Sequence, residues 1–188
     1  MTEGKSIVND EVELVCSLVP LEGAKVLELG CGNADFTRKL LASTGVKGVT
    51  ALEVDRIQHR LNLDSLKDSR LTFGYGAAEW IPFDDKIFDG VIMMKSLHHV
   101  PVESMHRAFA EIHRVLKPGG RLVIVDYHRP RRSNALYFPM AAILRTLEPF
   151  AMDLWRHEIT DWFPAGVARR IEKRAYFGGL YQSLTITV

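Results

Sequence analysis

Short apolar runs alternate with segments of helical periodicity along most of the chain. The runs that we interpret as β-strands cover residues 25–29, 48–53, 70–74, 88–94 and 121–127. Apolar residues recur at helical spacing over residues 7–19, 36–43, 55–66 and 102–116. Because parallel strands require crossover connections, this alternation predicts a doubly wound, mostly parallel α/β sheet of Rossmann-like type.

The end of the chain departs from that alternation. Residues 167–176 and 180–188 have the pattern of two strands, with Gly178 and Gly179 in the link between them. A link this short forces the two strands to run antiparallel. We therefore expect a seven-stranded sheet with an antiparallel C-terminal hairpin at one edge.

The composition suits a single domain covering residues 1–188. The formal net charge of +1 gives no indication of nucleic acid as a partner. Cys16 and Cys31 are too few for a disulfide framework and lack the paired spacing of a zinc site, so we expect no metal. No apolar run approaches the roughly 20 residues that span a bilayer, and the polar start is unlike a secretory signal. These features predict a cytoplasmic protein and leave its oligomeric state open.

A glycine-rich turn follows the first predicted strand. Gly30 and Gly32 flank Cys31 there, and glycine permits both a tight turn and a close approach of the backbone to a ligand. In doubly wound sheets, ligands bind at the carboxyl ends of the strands, beside the N–H groups that begin the next helix. The turn is therefore our candidate binding site, although a plain tight turn explains the two glycines equally well.

Acidic residues near this turn indicate which ligand it would bind. Glu53 ends the second predicted strand, where a carboxylate can accept hydrogen bonds from ribose hydroxyls; an exposed strand-end charge is the alternative. Glu28 lies inside the first strand, and its carboxylate suits the cationic end of an amino acid better than a pyrophosphate. A dinucleotide site would also favour glycine where Asp35 stands. The pattern favours a nucleoside that carries an amino-acid tail.

Successive segments of the chain resemble, in order, the motifs of class I S-adenosylmethionine-dependent methyltransferases. The segments are residues 26–32 (VLELGCG), 51–55 (ALEVD), 76–83 (GAAEWIPF) with 88–89 (FD), 97–100 (LHHV) and 114–122 (RVLKPGGRL). The resemblance covers about residues 25–127 and extends to small-molecule types, including those of quinone biosynthesis. It implies transfer of a methyl group from S-adenosylmethionine to a small acceptor by in-line displacement.

The resemblance also implies roles for individual residues. It assigns Glu28, Gly30, Cys31, Gly32 and Lys95 to the methionine end of the cofactor, Glu53 to the ribose, and Val54, Ala77 and Ala78 to the adenine. Two positions depart from the family pattern. Ala34 stands where a third glycine is usual, and a positive φ would cost alanine more than glycine. Ala77 stands where an aspartate usually accepts a hydrogen bond from the adenine amine.

The predicted acceptor side lies after the fourth and fifth strands. His98 and His99 are candidates for a general base or a substrate contact, and a packing or capping role is the alternative. Tyr127 and His128 would contact substrate or simply end their strand. Residues 133–163, which include Tyr137, are rich in aromatic and methionine side chains. We expect this segment to cover an apolar or lipid-like acceptor, or to contact a membrane surface.

Other functions fit parts of the same pattern. Ala34 and Ala77 would also suit a non-catalytic protein that binds S-adenosylmethionine or S-adenosylhomocysteine as a regulator or partner. A nicotinamide-dependent reductase is a third candidate, and Glu28 and Asp35 argue against it.

Overall fold

The computed structural model describes residues 11–65 and 68–188. The helices in these ranges are α1 (Glu11–Leu18), α2 (Asp35–Ser43), α3 (Arg56–Leu63), α4 (Met105–Val115) and α5 (Tyr137–Leu147). The strands are β1 (Lys25–Leu29), β2 (Gly48–Glu53), β3 (Leu71–Tyr75), β4 (Phe88–Met94), β5 (Leu116–Tyr127), β6 (Arg170–Tyr176) and β7 (Tyr181–Thr187). Short 3₁₀ turns cover Leu97–His99, Val102–Ser104, Pro149–Trp155, Ile159–Trp162 and Phe177–Gly179. None of the helices in the described ranges is long and apolar enough to span a membrane.

The strands form one sheet in the order β3-β2-β1-β4-β5-β7-β6. Strands β1 to β5 pair in parallel, whereas β7 pairs antiparallel with both β5 and β6. Because β6 therefore runs in the direction of β5, β7 alone is reversed among the described strands. The predicted doubly wound, seven-stranded sheet with its antiparallel C-terminal hairpin is confirmed.

Several element boundaries differ from the expected ones. Residues 7–10 of the first predicted helix and residue 66 of the third lie outside the described residues. Val102–Ser104 form a 3₁₀ turn, so α4 begins at Met105; such tighter turns are common at helix starts. Strand β5 begins at Leu116, which already pairs with Phe88, and the predicted Pro-Gly-Gly turn is a step inside it where the register with β4 shifts.

The sheet buries apolar side chains on both faces. On one face, Leu27, Leu29 and the apolar stripe of α4 form a core that extends to Trp162 and Phe163. On the other face, Val26 and neighbouring strand residues pack against the apolar sides of α1 and α2. Successive residues of β1 thus point to opposite cores, as the pleat of a strand requires. With both faces covered, the edge formed by the carboxyl ends of the parallel strands is left as the place for a ligand.

The segment 133–163 lies over one end of that edge. Its helix α5 and the following 3₁₀ turn form a small core with Leu180, which directly precedes β7. Tyr127 at the end of β5 and Tyr181 pack against the same core. The end of the segment, Trp162 and Phe163, belongs instead to the main core. The expected cover is therefore composed of α5 and the turn after it.

Candidate functional site

The glycine-rich turn closes the carboxyl end of β1 against β2. The amides of Gly30 and Cys31 both donate to the carbonyl oxygen of Leu52, each at 3.0 Å. Gly30 has φ 72 and Gly32 has φ 52, which is the left-handed region that favours glycine. A methyl group on Gly30 would lie 2.7 Å from Cβ of Ser96, whereas one on Gly32 would meet no atom within 4 Å. Gly30 is thus required by packing, and Gly32 borders open space.

Ala34 adopts the conformation that a third glycine would take. Its φ is 62 and its ψ is 26, and it caps the start of α2 without a side-chain hydrogen bond. The left-handed conformation costs a residue with a Cβ about 1–2 kcal/mol. The methyl group is fully buried beside Cys31 and Ala51, which offsets part of this cost. The turn therefore has a left-handed residue at this position although it is an alanine.

Glu53 links the end of β2 to the glycine turn. One of its carboxylate oxygens accepts a hydrogen bond from the amide of Gly32 at 2.7 Å. The other accepts from the amides of Val54 and Asp55, both at 2.9 Å. A carboxylate has about four acceptor positions, so about one remains for a ligand. The structure thus leaves room for one ribose hydroxyl unless a backbone donor is displaced.

Glu28 lies beneath the turn, with 2% of its surface exposed. The hydroxyl of Thr37 in α2 donates to its carboxylate. Burial raises the pKa of Glu28 from 4.5 to about 7, the Thr37 hydrogen bond opposes this rise, and the charge of Glu53 adds to it. Desolvation is the main cause of the raised pKa. A positive charge near Glu28 would favour the ionised carboxylate and lower this pKa again.

The turn therefore has a negative electrostatic environment. Burial raises the pKa of the neighbouring Cys31 thiol to about 12, and the charges of Glu28 and Glu53 add to that rise. A carboxylate pair of this kind would repel the pyrophosphate of a dinucleotide. It would attract a ligand with a cationic sulfonium or ammonium group.

The residues assigned to the adenine side lie next to Glu53. Val54 has 57% of its surface exposed and is free to pack against a ring. Ala77 and Trp80 exchange backbone hydrogen bonds of 3.2 and 3.0 Å, which form a tight loop after β3. Ala78 is buried within this loop. The assigned residues are thus held near one another at the edge of the sheet.

Lys95 directly follows β4, at the same edge of the sheet as the glycine-rich turn. Its amide donates to the carbonyl oxygen of Val125 at 2.8 Å, and its φ is 53. The ammonium group forms an ion pair with Glu11 at the start of α1. Lys95 therefore lies at the expected edge, with its charge engaged by α1.

His98 is held by a buried carboxylate that the sequence analysis did not single out. Its Nδ1 lies 2.8 Å from Oδ1 of Asp126, and its backbone amide donates to Oδ2 of the same residue at 3.1 Å. Asp126 is fully buried at the end of β5. On the opposite side of the ring, Nε2 of His98 lies 3.9 Å from Oε2 of Glu148. The pattern of the sequence did offer a signal for Asp126, since it interrupts an apolar strand at its carboxyl end.

His99 and Tyr127 lie against the ring of His98. The ring centroids of His98 and His99 are 4.0 Å apart, and those of His98 and Tyr127 are 5.0 Å apart. Desolvation lowers the pKa of His99, and the charge of His98 lowers it further. Desolvation raises the pKa of Tyr127 to about 12, with a contribution from its hydrogen bond to Tyr181. These groups form a ring-lined surface beside the cover.

Tyr137 joins this surface, whereas His128 turns to the hairpin. Tyr137 packs on Trp155 with ring centroids 5.5 Å apart. Nδ1 of His128 lies 3.0 Å from the carbonyl oxygen of Gly179, and its amide donates to Leu180. The hydrogen bonds of His128 are those of a residue that fastens β5 to the β6–β7 link.

Residues 27–124 match the methyltransferase domain family. The match includes the glycine turn, the end of β2 with Glu53, and most of β5. The chain belongs to the S-adenosylmethionine-dependent methyltransferase family. The structure agrees with this assignment, since its negative turn suits a cationic cofactor.

The proteins similar in sequence include demethylmenaquinone methyltransferases. An uncharacterized methyltransferase of Synechocystis sp. is 36% identical to this methyltransferase over 162 residues, which is 85% of this chain and 74% of that protein. The demethylmenaquinone methyltransferase of Staphylococcus epidermidis is 36% identical over 126 residues, which is 62% of this chain and 51% of that protein. The chain thus spans about half the length of the second relative.

Solved structures share the fold at low sequence identity. A methyltransferase in complex with the Trm112 activator of Haloferax volcanii has a TM-score of 0.74 at 19% identity, over 93% of this chain and 87% of that one. An S-adenosylmethionine-dependent methyltransferase of Aquifex aeolicus has a TM-score of 0.66 at 18% identity, over 95% and 89%. These similarities confirm the Rossmann-like methyltransferase fold.

The two glycines of the turn predict different effects of an added methyl group. We expect Gly30→Ala to lower the free energy of unfolding by about 2–4 kcal/mol, because it combines a left-handed φ with a clash. Gly32→Ala should cost only about 1 kcal/mol but should abolish binding of S-adenosylmethionine, since its methyl group enters the open space. Denaturant titration and calorimetry measure the two quantities. Gly23→Ala, with φ 68 in open space at the other end of β1, is the matched control. Equal cofactor binding by the Gly32 and Gly23 variants would contradict this assignment.

Because the pKa of Glu28 is raised, we expect its charge to lower the stability of the fold while it favours cofactor binding. The folded chain holds the Glu28 proton more tightly than the unfolded chain, so stability should fall as the pH rises from 4.5 to about 7. The full shift corresponds to a cost on the order of 3 kcal/mol. We expect Glu28→Gln, which still accepts from Thr37, to stabilise the protein by about 1–2 kcal/mol at pH 8 and to remove this pH dependence.

The same substitution should weaken S-adenosylmethionine binding by about tenfold, because a negative charge is lost beside the cationic cofactor. Thermal or chemical denaturation across pH and calorimetry test the pair of effects. Glu111→Gln is the control. The Arg114 side chain lowers the pKa of Glu111, so this substitution should make the protein less stable at pH 8. A Glu28→Gln protein that is less stable at pH 8 than the wild type would refute the destabilising charge of Glu28.

Proposed function

We propose that this chain binds S-adenosylmethionine at the glycine turn and transfers its methyl group to a small, apolar or lipid-like acceptor beneath residues 133–163. One observation carries the proposal: two carboxylates, Glu28 and Glu53, adjoin a backbone turn that is open at Gly32. The bound cofactor supplies an electrophilic methyl carbon. The protein supplies orientation, charge and exclusion of water.

The residues present fit this cofactor. Glu53 retains an acceptor position for a ribose hydroxyl, and exposed Val54 offers an apolar surface for adenine. Gly30, Cys31, Gly32, Ala77, Ala78 and Lys95 complete the proposed cofactor-binding set. The negative charge of the turn favours the sulfonium and ammonium groups and disfavours NAD(H).

The chemistry of the cover supports an apolar acceptor that carries an oxygen. Tyr127, Tyr137 and Tyr181 pack with Trp155 in a small aromatic core under α5. The indole Nε1 of Trp155 is buried and has no hydrogen-bond partner among the described residues. A buried donor without a partner is costly, so an acceptor oxygen that reached it would gain affinity. The quinone methyltransferases among the relatives bear names consistent with such an acceptor.

His98 and His99 lie beside this core and are the proposed acceptor-contacting residues, with Tyr127 and Tyr137. His128 is the weakest member of the proposed acceptor set, because its ring and amide are bonded to the hairpin. We expect His98→Ala to lower turnover while S-adenosylmethionine binding survives, since His98 is not in the proposed cofactor-binding set.

A methyl-release assay with calorimetry tests the proposed function. We expect heat of binding with S-adenosylmethionine and S-adenosylhomocysteine, none with NAD(H), and methyl transfer to a hydroxylated or quinone-type lipid. Binding without transfer to any acceptor in a broad metabolite and lipid panel would identify a non-catalytic cofactor-binding protein. Heat with NAD(H) alone would identify a nicotinamide enzyme, and either result would refute the proposal.

We also propose that α5 contacts a membrane surface, where a lipid-like acceptor would be met. Several apolar side chains of α5 are exposed: Phe138 and Leu147 each have 73% of their surface exposed, and Ile143 has 46%. Residues 129–147 contain Arg129, Arg131, Arg132 and Arg145 and no acidic residue. A helix that is apolar on its solvent side and flanked by arginines is typical of attachment to anionic lipid.

Vesicle binding tests this contact. The protein should cosediment with phosphatidylglycerol vesicles at least tenfold more than with phosphatidylcholine vesicles, and salt should weaken the binding. Phe138→Asp should abolish most of it. Leu61→Asp, at an exposed position of α3, is the matched control and should have no effect. Equal binding by both variants, or dimerisation through α5 in place of vesicle binding, would contradict the membrane contact.

A further inference from the structure

Three metal-ligating side chains from two separate parts of the chain meet at the acceptor side. They are His98, His99 and Glu148, and their donor atoms all lie within 4.8 Å of one another. His98 and His99 follow β4, whereas Glu148 directly follows α5. The sequence pointed to His98 and His99 but not to Glu148, which is about fifty residues away, and the expectation of no metal considered only cysteine spacing.

Asp126 fixes the chemical form of His98. Its buried carboxylate can only accept hydrogen bonds, so the Nδ1 atom of His98, 2.8 Å away, carries the proton. This leaves Nε2, on the side that faces Glu148, as the His98 nitrogen that can bind a metal ion. A carboxylate that holds one imidazole nitrogen while the other faces a ligand site is the usual outer support of metal-binding histidines.

The charges around the group also call for a cation. The carboxylates of Asp126 and Glu148 flank the His98 ring on opposite sides. Within residues 11–65 and 68–188, neither carboxylate has a lysine or arginine within ion-pair distance. A divalent cation between the imidazoles and Glu148 would balance the two negative charges.

We propose that His98, His99 and Glu148 bind a divalent metal ion of the zinc type, with Asp126 as the positioning residue. Two imidazoles and one carboxylate are a ligand set of catalytic zinc sites, in which a further position stays open. Zinc bonds of about 2.0–2.2 Å place ligand atoms roughly 3.5 Å apart, so the group must contract by about an ångström. His99 and Glu148 are partly exposed, which permits this movement and gives the ion access.

The three ligands lie on the proposed acceptor side, so a metal ion bound there with a position left open would be available to the acceptor. It would hold an oxygen of the acceptor, a role that rests on the proposed function, whereas metal binding itself does not. In this arrangement the histidines meet the acceptor through the metal ion and do not act as free bases.

Calorimetry with zinc chloride alone, on the full chain without cofactor, tests the site. We expect one zinc ion per chain in the wild type and at least a hundredfold weaker binding by His98→Ala and by Glu148→Gln. Asp126→Asn should weaken binding by about 10–100-fold, as loss of an outer carboxylate does. His106→Ala, at an exposed position of α4, should bind zinc as the wild type does. Zinc uptake that is equal in the His98 and His106 variants, or absent in the wild type, would overturn the proposal.

Cobalt absorption and S-adenosylmethionine binding distinguish the loss of the metal site in a variant from the loss of its fold. Cobalt(II) bound to the wild type should give visible absorption that changes in Asp126→Asn, while circular dichroism and S-adenosylmethionine binding stay unchanged. A variant that loses its fold along with zinc binding would be replaced by His99→Gln, whose partly exposed side chain is not part of the core. Zinc binding with no cofactor binding would refute the proposed function and leave the metal site standing. If S-adenosylmethionine binding and methyl transfer survive complete removal of metal by a chelator, and no zinc is taken up, the metal site is refuted. The proposed function would then stand.

Discussion

The parallel pairing of β1 with its neighbours is the constraint on which this protein depends. Parallel strands end at the same edge of a sheet, so the residues that follow β1, β2, β4 and β5 are brought together whatever their distance in the chain. The hydrogen bonds of Gly30 and Cys31 to Leu52 and of Gly32 to Glu53 fasten two of these ends directly. Ser96 adds a third, since its hydroxyl donates to the carbonyl oxygen of Leu29 at 2.7 Å.

This shared edge carries two regions of different chemistry. Around β1 and β2 it is acidic and open at the backbone, because the carboxyl groups of Glu28 and Glu53 both adjoin the turn at Gly32. Around β4 and β5 it is aromatic and imidazole-lined, with Asp126 beneath His98. A cationic methyl donor suits the first region and an apolar acceptor suits the second. The proposed reaction joins the two where the strand ends meet.

The cost of such a site is visible in the fold. Glu28 is kept in a buried position where its charge is unfavourable, and Ala34 is kept in a left-handed conformation. The surrounding sheet tolerates both because each is enclosed by packed strands and helices. Likewise, α5 presents apolar side chains to solvent that would be better buried, which is understandable if that side meets lipid.

Much of the fold and half of the candidate site could be predicted from the sequence alone. Apolar periodicity and the short Gly178-Gly179 link predicted the sheet and its hairpin, because these patterns follow from burial on two faces and from chain reach. Glu28, Glu53 and the glycines of the turn were found because they lie in or beside strand patterns, where a polar residue or a glycine stands out. The positive φ of Ala34 was anticipated for the same local reason.

Tertiary structure alone decided the acceptor side. Nothing local connects Asp126 or Glu148 to His98, since the contact arises only when β5 pairs with β4 and when α5 folds over their ends. The same holds for the occupied acceptor positions of Glu53, which depend on the approach of Gly32. Sequence patterns record what each element needs to bury, whereas the chemistry between elements depends on distances that only the packed chain sets.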